Sequence, residues 1–249
     1  MIAISIAGYD PSAGAGILND IKTFSALGIY GTGVITALTA QNAKRVSGIY
    51  PISPEFIEEQ IDLVMEDADI IFGKTGMLYS PDIIRSVAKK VKEYQLKMVV
   101  DPVMVAGSGG KLSRQGLADS LKKYLLKKSI LVTPNIPEAE ILSGIPIKNK
   151  DDAIKAAGKI GKYCDVVITG GHLEGNNIFF NGKVEIFQGE LIESNNTHGS
   201  GCSFSAALTA YLVKGFDLEK ALKEADSFVK ESIRQGHYGT LNQFWNHEI

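Results

Sequence analysis

A layered α/β fold with a mostly parallel central sheet is what this sequence predicts, and three observations carry the prediction. Short β-branched runs alternate with amphipathic segments along the whole chain. Most of those runs are almost continuously apolar, as strands buried on both faces of a parallel sheet must be. The third observation is a break in the rhythm. "NIFFNGKVEIF" (177–187) puts Asn-Gly between two apolar runs, a hairpin signal. Together these imply a three-layer α/β/α sandwich with an antiparallel edge hairpin.

Taken in order, strands are predicted over 2–7, 33–37, 69–73, 97–101, 129–133 and 165–169. Between them, Ile17, Ile21, Phe24 and Leu27 fall on one helical face, as do Phe56, Ile57, Ile61 and Val64. Leu218, Ala221, Leu222, Ala225, Phe228 and Val229 form a third stripe. No Pro- or Ser-rich linker, repeat or low-complexity tract divides the chain, so residues 1–249 are expected to form one domain.

Composition narrows the function classes. The 249 residues are 45% hydrophobic and 22% charged, with a formal net charge of −2 and no block of like charge. Neither a nucleic-acid surface nor a membrane surface is expected from that balance. The first residues lack a basic region and a long apolar core, and no stretch approaches the ~20 apolar residues of a membrane span. Two cysteines, Cys164 and Cys202, stand in unrelated contexts and imply free thiols in a reducing cytoplasm.

In parallel α/β sheets, ligands gather where strands pass into loops at their carboxyl ends. "GYDPSAGAG" follows the first strand there, and its glycines let backbone approach a ligand closely. A glycine-rich turn capped by Asp10 or Ser12 is the plainer alternative. Asp101 opens "DPVMVAGSGGKL" at a strand end, where a carboxylate suits Mg²⁺ and its phosphates. In "TPNIPEAE", Asn135 and Glu138 stand three apart at a helix start. They suit a cap, a carboxylate holding a Mg²⁺ water, or both. "FGKTGM" (72–77) looks like a P-loop, but Ala68 stands where the motif needs glycine, so that reading fails. The most informative stretch is "NTHGSGCSF". Gly199, Ser200 and Gly201 can turn successive N–H groups toward one anion, and the following helix adds its positive end. Cys202, at that helix start, is expected to have a lowered pKa and to take a proton from an attacking hydroxyl. A packing role, or a thiol nucleophile with His198 as its base, are the competing readings.

These stretches, with "LNDIKTFSALGIYGTGVITALTAQN", "KTGML" and "GGH", resemble the hydroxymethylpyrimidine and phosphomethylpyrimidine kinases of thiamin synthesis, within the ribokinase-like superfamily. The resemblance covers nearly the whole chain. It implies ATP-dependent phosphorylation of 4-amino-5-hydroxymethyl-2-methylpyrimidine and then of its monophosphate, with Mg²⁺. It also implies a homodimer acting on a small pyrimidine. Carried residue by residue, it makes Gly199 to Cys202 the anion hole and catalytic cysteine, and Gln41 the reader of the pyrimidine edge. Gly8, Asp20 and Met77 match positions lining the same pocket. Asp101 and Glu138 match positions near Mg²⁺, and Asn135 belongs with the phosphates. Two departures concern phosphate contacts: Thr169 and Gly107 stand where lysines are usual, with Lys111 close enough in its loop to substitute. Pyridoxal kinase, a non-catalytic pyrimidine sensor and a thiol hydrolase are the alternatives.

Overall fold

The computed structural model describes residues 1–104, 114–170 and 175–247. Its sheet grows in both directions from β1 (Ile2–Tyr9), whose interior is wholly buried. On one side lie β2 (Tyr30–Asn42) and β3 (Arg45–Pro51). On the other follow β4 (Phe72–Thr75), β5 (Lys97–Val100), β6 (Leu131–Val132), β7 (Asp165–Ile168), β8 (Asn177–Phe180) and β9 (Val184–Phe187). The strand order is β3-β2-β1-β4-β5-β6-β7-β8-β9 among the described residues. Strand order therefore reverses between β1 and β4, the place where such sheets form a ligand crevice. Pairing is parallel from β2 through β7 and antiparallel at β2–β3, β7–β8 and β8–β9.

Helices cover both faces, as the alternating sequence requires. α1 (Gly16–Ala26), α7 (Ser200–Val213) and α8 (Leu218–Arg234) pack on one side with Phe24, Phe204, Phe228 and Val99. On the other side lie α2 (Pro54–Asp67), α3 (Pro81–Glu93), α5 (Ile136–Ser143) and α6 (Lys150–Ile160). With them is the short α4 (Leu117–Ser120), which runs on through a π turn and a 3₁₀ turn to Lys128. That core holds Ile4, Ile6, Ile57, Ile61, Ile84 and Met98.

The three-layer sandwich and the β8–β9 hairpin match the sequence reading, with Gly182 at φ +96° in the turn. Three details differ. β2 extends well past 33–37 and folds back as β3, a second antiparallel edge. Asn42 closes that turn by accepting from the N–H groups of Lys44 and Arg45, at 2.9 and 3.0 Å. The strand expected over 69–73 begins instead at Phe72, and Phe56, expected on the buried face of α2, is exposed.

Candidate active site

Helix ends locate the site. Helices of eight or more residues normally satisfy their first N–H groups with a side chain. Here Ser53, Ser80, Asn135, Asn149 and Asp217 cap α2, α3, α5, α6 and α8. α1 and α7 start without a side-chain cap, after Ala15 and Gly199. Both starts line one cavity of about 670 Å³, bordered also by Gln41, Asp101, Asn135, Glu138 and Cys202. Two uncapped, positively polarised helix ends on one cavity make it receptive to anions.

Glycine chemistry builds the α7 end. Gly199 has φ +89°, and a Cβ there would collide with the Gly14 carbonyl, so the two glycine loops interlock. A Cβ on Gly201 meets nothing within 4 Å, because that position faces open space. The Ser200 N–H donates to Thr197 O at 3.1 Å, so it is not free as the sequence suggested. The N–H groups of Gly201 and Cys202 have no acceptor among the described residues.

Beneath the cavity lies a buried cation. Lys74 Nζ is 3.0 Å from Asp20 Oδ1 and 3.6 Å from Asp101 Oδ2, with no exposed side-chain surface. Ser5 Oγ donates to the other Asp20 oxygen at 2.6 Å. Burial alone depresses a lysine pKa, but the charges of Asp20 and Asp101 outweigh it and hold Lys74 above its ordinary value. Burial likewise raises Asp20, against the pull of Lys74. Lys74 belongs to the "FGKTGM" stretch dismissed as a P-loop, so the sequence reading missed its role. A lysine inside an apolar strand was the available signal, since lysine is almost never fully buried unless paired.

The thiol of Cys202 corrects another expectation. A helix start lowers a cysteine pKa, and here Lys74 and the Gly16 N–H act in that direction too. Burial is the larger influence, supported by Asp101 and Asp20, and it holds the thiol well above its usual range. Burial also acts on Glu138: with the Asp101 charge beside it, its carboxyl rises to about 8. Glu138 and Asn135 form a reciprocal cap, each accepting from the other's backbone N–H at 3.0 Å.

The other candidates fall around this centre. Gly8 packs on Met77, where a Cβ would come within 2.5 Å of Met77 Cε. Met77 joins Ala37, Val46, Ile49 and Val103 in a small apolar patch. Asp20 is buried below the cavity rather than exposed in it. Thr169 follows β7, its N–H on Pro134 O at 2.9 Å. Lys111 and Gly107 lie outside the described residues. His198 does not stand free for the thiol: its Nε2 is 2.9 Å from Asp10 Oδ2.

An anion-receptive cavity above paired carboxylates, at the switch point of a parallel sheet, defines the class: a phosphotransferase of ribokinase-like fold. A family model described as phosphomethylpyrimidine kinase matches residues 10–243. The chain belongs to that family. The hydroxymethylpyrimidine/phosphomethylpyrimidine kinase of Bacillus subtilis is 41% identical to it, over 97% of this chain and 94% of that protein. A crystal structure of phosphomethylpyrimidine kinase from Clostridium difficile has a TM-score of 0.82 at 37% identity, covering 94% of this chain and 99% of the other. Pyridoxal kinase from Staphylococcus aureus, solved with AMP-PCP and pyridoxal, has a TM-score of 0.89 at 30% identity, over 100% of this chain and 95% of that one.

The two glycines should separate cleanly on substitution. Gly199→Ala forces a positive φ and a backbone collision, and should destabilise the fold by about 1–3 kcal/mol in urea unfolding. Gly201→Ala should leave stability within about 1 kcal/mol of the parent, because its Cβ points into open space. Equal losses would mean that the α7 start is packed rather than open.

Proposed function

We propose that this protein transfers the γ-phosphoryl group of ATP to the hydroxymethyl group of 4-amino-5-hydroxymethyl-2-methylpyrimidine. A second transfer to the monophosphate then gives the pyrophosphate used for thiamin. The convergence of two uncapped helix ends on one cavity with Cys202, Asp101 and Glu138 carries this reading. The 41% identity to a kinase with that substrate name supports the choice of acceptor.

Phosphoryl transfer needs positioning and charge neutralisation more than covalent chemistry. The free N–H groups of Gly201 and Cys202 suit the charge spreading over the phosphoryl oxygens in transit. Gln41 reads the pyrimidine edge, while Gly8 and the Met77 patch receive the flat ring. Asn135, Thr169 and Lys111 attend the ATP phosphates. Asp101 and Glu138 fit Mg²⁺: two neighbouring carboxylates, one driven toward its neutral form by burial and by the charge of the other, gain from a shared cation. Among the described residues no group of three or more ligating side chains forms, which suits an ion that keeps waters and binds phosphates. Bound there, Mg²⁺ would neutralise the transferring phosphates and Asp101. Removing the Asp101 charge would relieve one of the influences that hold the Cys202 thiol protonated, burial being the larger, with Lys74 as its fixed counter-charge. Once its own proton has passed to solvent, the thiolate accepts the proton of the attacking hydroxyl.

No helix among the described residues is long and apolar enough to cross a membrane, and both cysteines are free. Those observations support a cytoplasmic setting. Pyridoxal kinase is the second reading, favoured by the close structural match to the Staphylococcus aureus enzyme.

Two measurements test the proposal. Cys202→Ala should keep ATP binding by calorimetry and lose turnover by roughly 10²–10⁴, the usual worth of a general base. Near-normal turnover would reduce Cys202 to packing. Phosphorus NMR of the pyrimidine alcohol with excess ATP should show monophosphate and then pyrophosphate, with the second step slower and more dependent on Mg²⁺. That weakness follows from Thr169 and Gly107 standing where lysines are usual. Monophosphate alone, with added monophosphate also refused, would contradict the second transfer. Preferential phosphorylation of pyridoxal would favour the other reading.

A further inference from the structure

The turn at residues 237–240 carries a tyrosine in an unfavourable place. The His237 N–H donates to Thr240 O at 3.0 Å, and the Thr240 N–H returns a bond to His237 O at 2.9 Å. Two residues stand between them, Tyr238 at φ +55° and Gly239 at φ +79°. That is a type I′ hairpin turn, which needs positive φ at both central positions and favours Asn-Gly, Asp-Gly or Gly-Gly. Glycine meets the requirement freely, whereas a tyrosine meets it only under strain. Burial does not offset the strain, because Tyr238 is 98% exposed.

Neighbouring chain holds this strained turn in place. The Gly239 N–H donates to Asn196 Oδ1 at 2.9 Å, and Gly239 O accepts from the His198 N–H at 3.2 Å. Asn196 also donates from its amide to Gly236 O at 2.9 Å. The turn is thus fastened to the segment that runs into Gly199. Its tip borders the cavity: Tyr238 and Gly239 line it, as do Gln41 and Ala43 at the end of β2. A Cβ on Gly239 would lie 3.5 Å from Ala43 Cβ, so the two stretches adjoin. Strain kept without packing, at the rim of a ligand cavity, points to a task for the side chain. We propose that Tyr238 is a substrate-binding residue: its ring stacks on the flat heteroaromatic ring of the phosphoryl acceptor and shields it from solvent. The acceptor is the partner because Tyr238 shares this rim with Gln41. Val103, from the Met77 patch, lines the same cavity. The acceptor ring thereby has an apolar surface on its protein side and Tyr238 on its solvent side. Stacking suits two flat π systems and tolerates changes in ring substituents. This inference rests on the acceptor side of the cavity assigned above.

The test measures KM for the aminopyrimidine alcohol and for ATP in Tyr238→Ala, Tyr238→Phe and Tyr238→Asn. The alanine variant should raise the acceptor KM roughly five- to hundredfold, the usual worth of stacking on a base, and leave the ATP KM within about twofold. Tyr238→Phe keeps the ring and should stay near the parent. Tyr238→Asn supplies the residue that the turn prefers. It should raise the melting temperature by roughly 1–4 °C while losing acceptor affinity as alanine does. That opposite movement of stability and binding separates a ligand role from a structural one, and it keeps the test decisive should the alanine variant fold poorly. An unchanged acceptor KM in Tyr238→Asn, or equal rises in both KM values, would overturn the proposal. So would a phenylalanine variant as impaired as alanine. If the enzyme refuses the aminopyrimidine alcohol and phosphorylates pyridoxal, the assigned acceptor fails. The pyridoxal KM of Tyr238→Asn then decides the role of Tyr238 by the same criterion.

Discussion

The site depends on an ammonium group sealed inside the protein. Lys74 leaves the middle of a parallel sheet, its side chain fully buried, and finds Asp20 from α1 and Asp101 from the end of β5. Taking such charges out of water is costly, and mutual attraction offsets the cost only with good geometry and additional hydrogen bonds. Ser5 supplies one of those bonds to Asp20, and Ser205 reaches Asp101 at 3.4 Å. The cluster thereby joins β1, β4, β5, α1 and α7 at the strand ends where the sheet changes direction. It also puts one fixed positive charge beneath the part of the cavity lined by Asp101, Glu138 and the Cys202 thiol.

The helix starts follow from a related constraint. A sequence that caps five longer helices with Ser, Asn or Asp has the means to cap all of them. At α1 and α7 it places alanine and glycine instead. Helix starts left without a side-chain cap are a small cost in stability and a direct gain in anion affinity. The interlocked Gly14 and Gly199, tied by the Asp10–His198 bond, keep both starts aimed at one place.

Much of this was legible in the sequence, and the exceptions have physical causes. Continuous apolar runs marked the strands because both faces of the sheet are buried. β3 escaped notice because it is an edge strand, its exposed residues alternating with only partly buried Val46 and Ile49. Asn135, Glu138, Asp101 and the α7 start were visible through short-range spacing, and the first three meet Cys202 at one cavity. Lys74 was not, since its partners lie 54 and 27 positions away in sequence and only the folded sheet brings them together. The pKa of Cys202 went the wrong way for a similar reason. Helix direction is local and readable, whereas burial is a property of the whole fold.

Unfolding free energies of Lys74→Met, Asp20→Asn and the double variant test the organising role of the buried cation most directly. Lys74→Met should cost about 3–5 kcal/mol, because it strands buried carboxylates without their counter-charge. Removing the Asp20 charge as well should return a substantial part of that loss, giving a coupling energy above about 1 kcal/mol. Additive losses, or a Lys74→Met protein as stable as its parent, would contradict a site organised around Lys74.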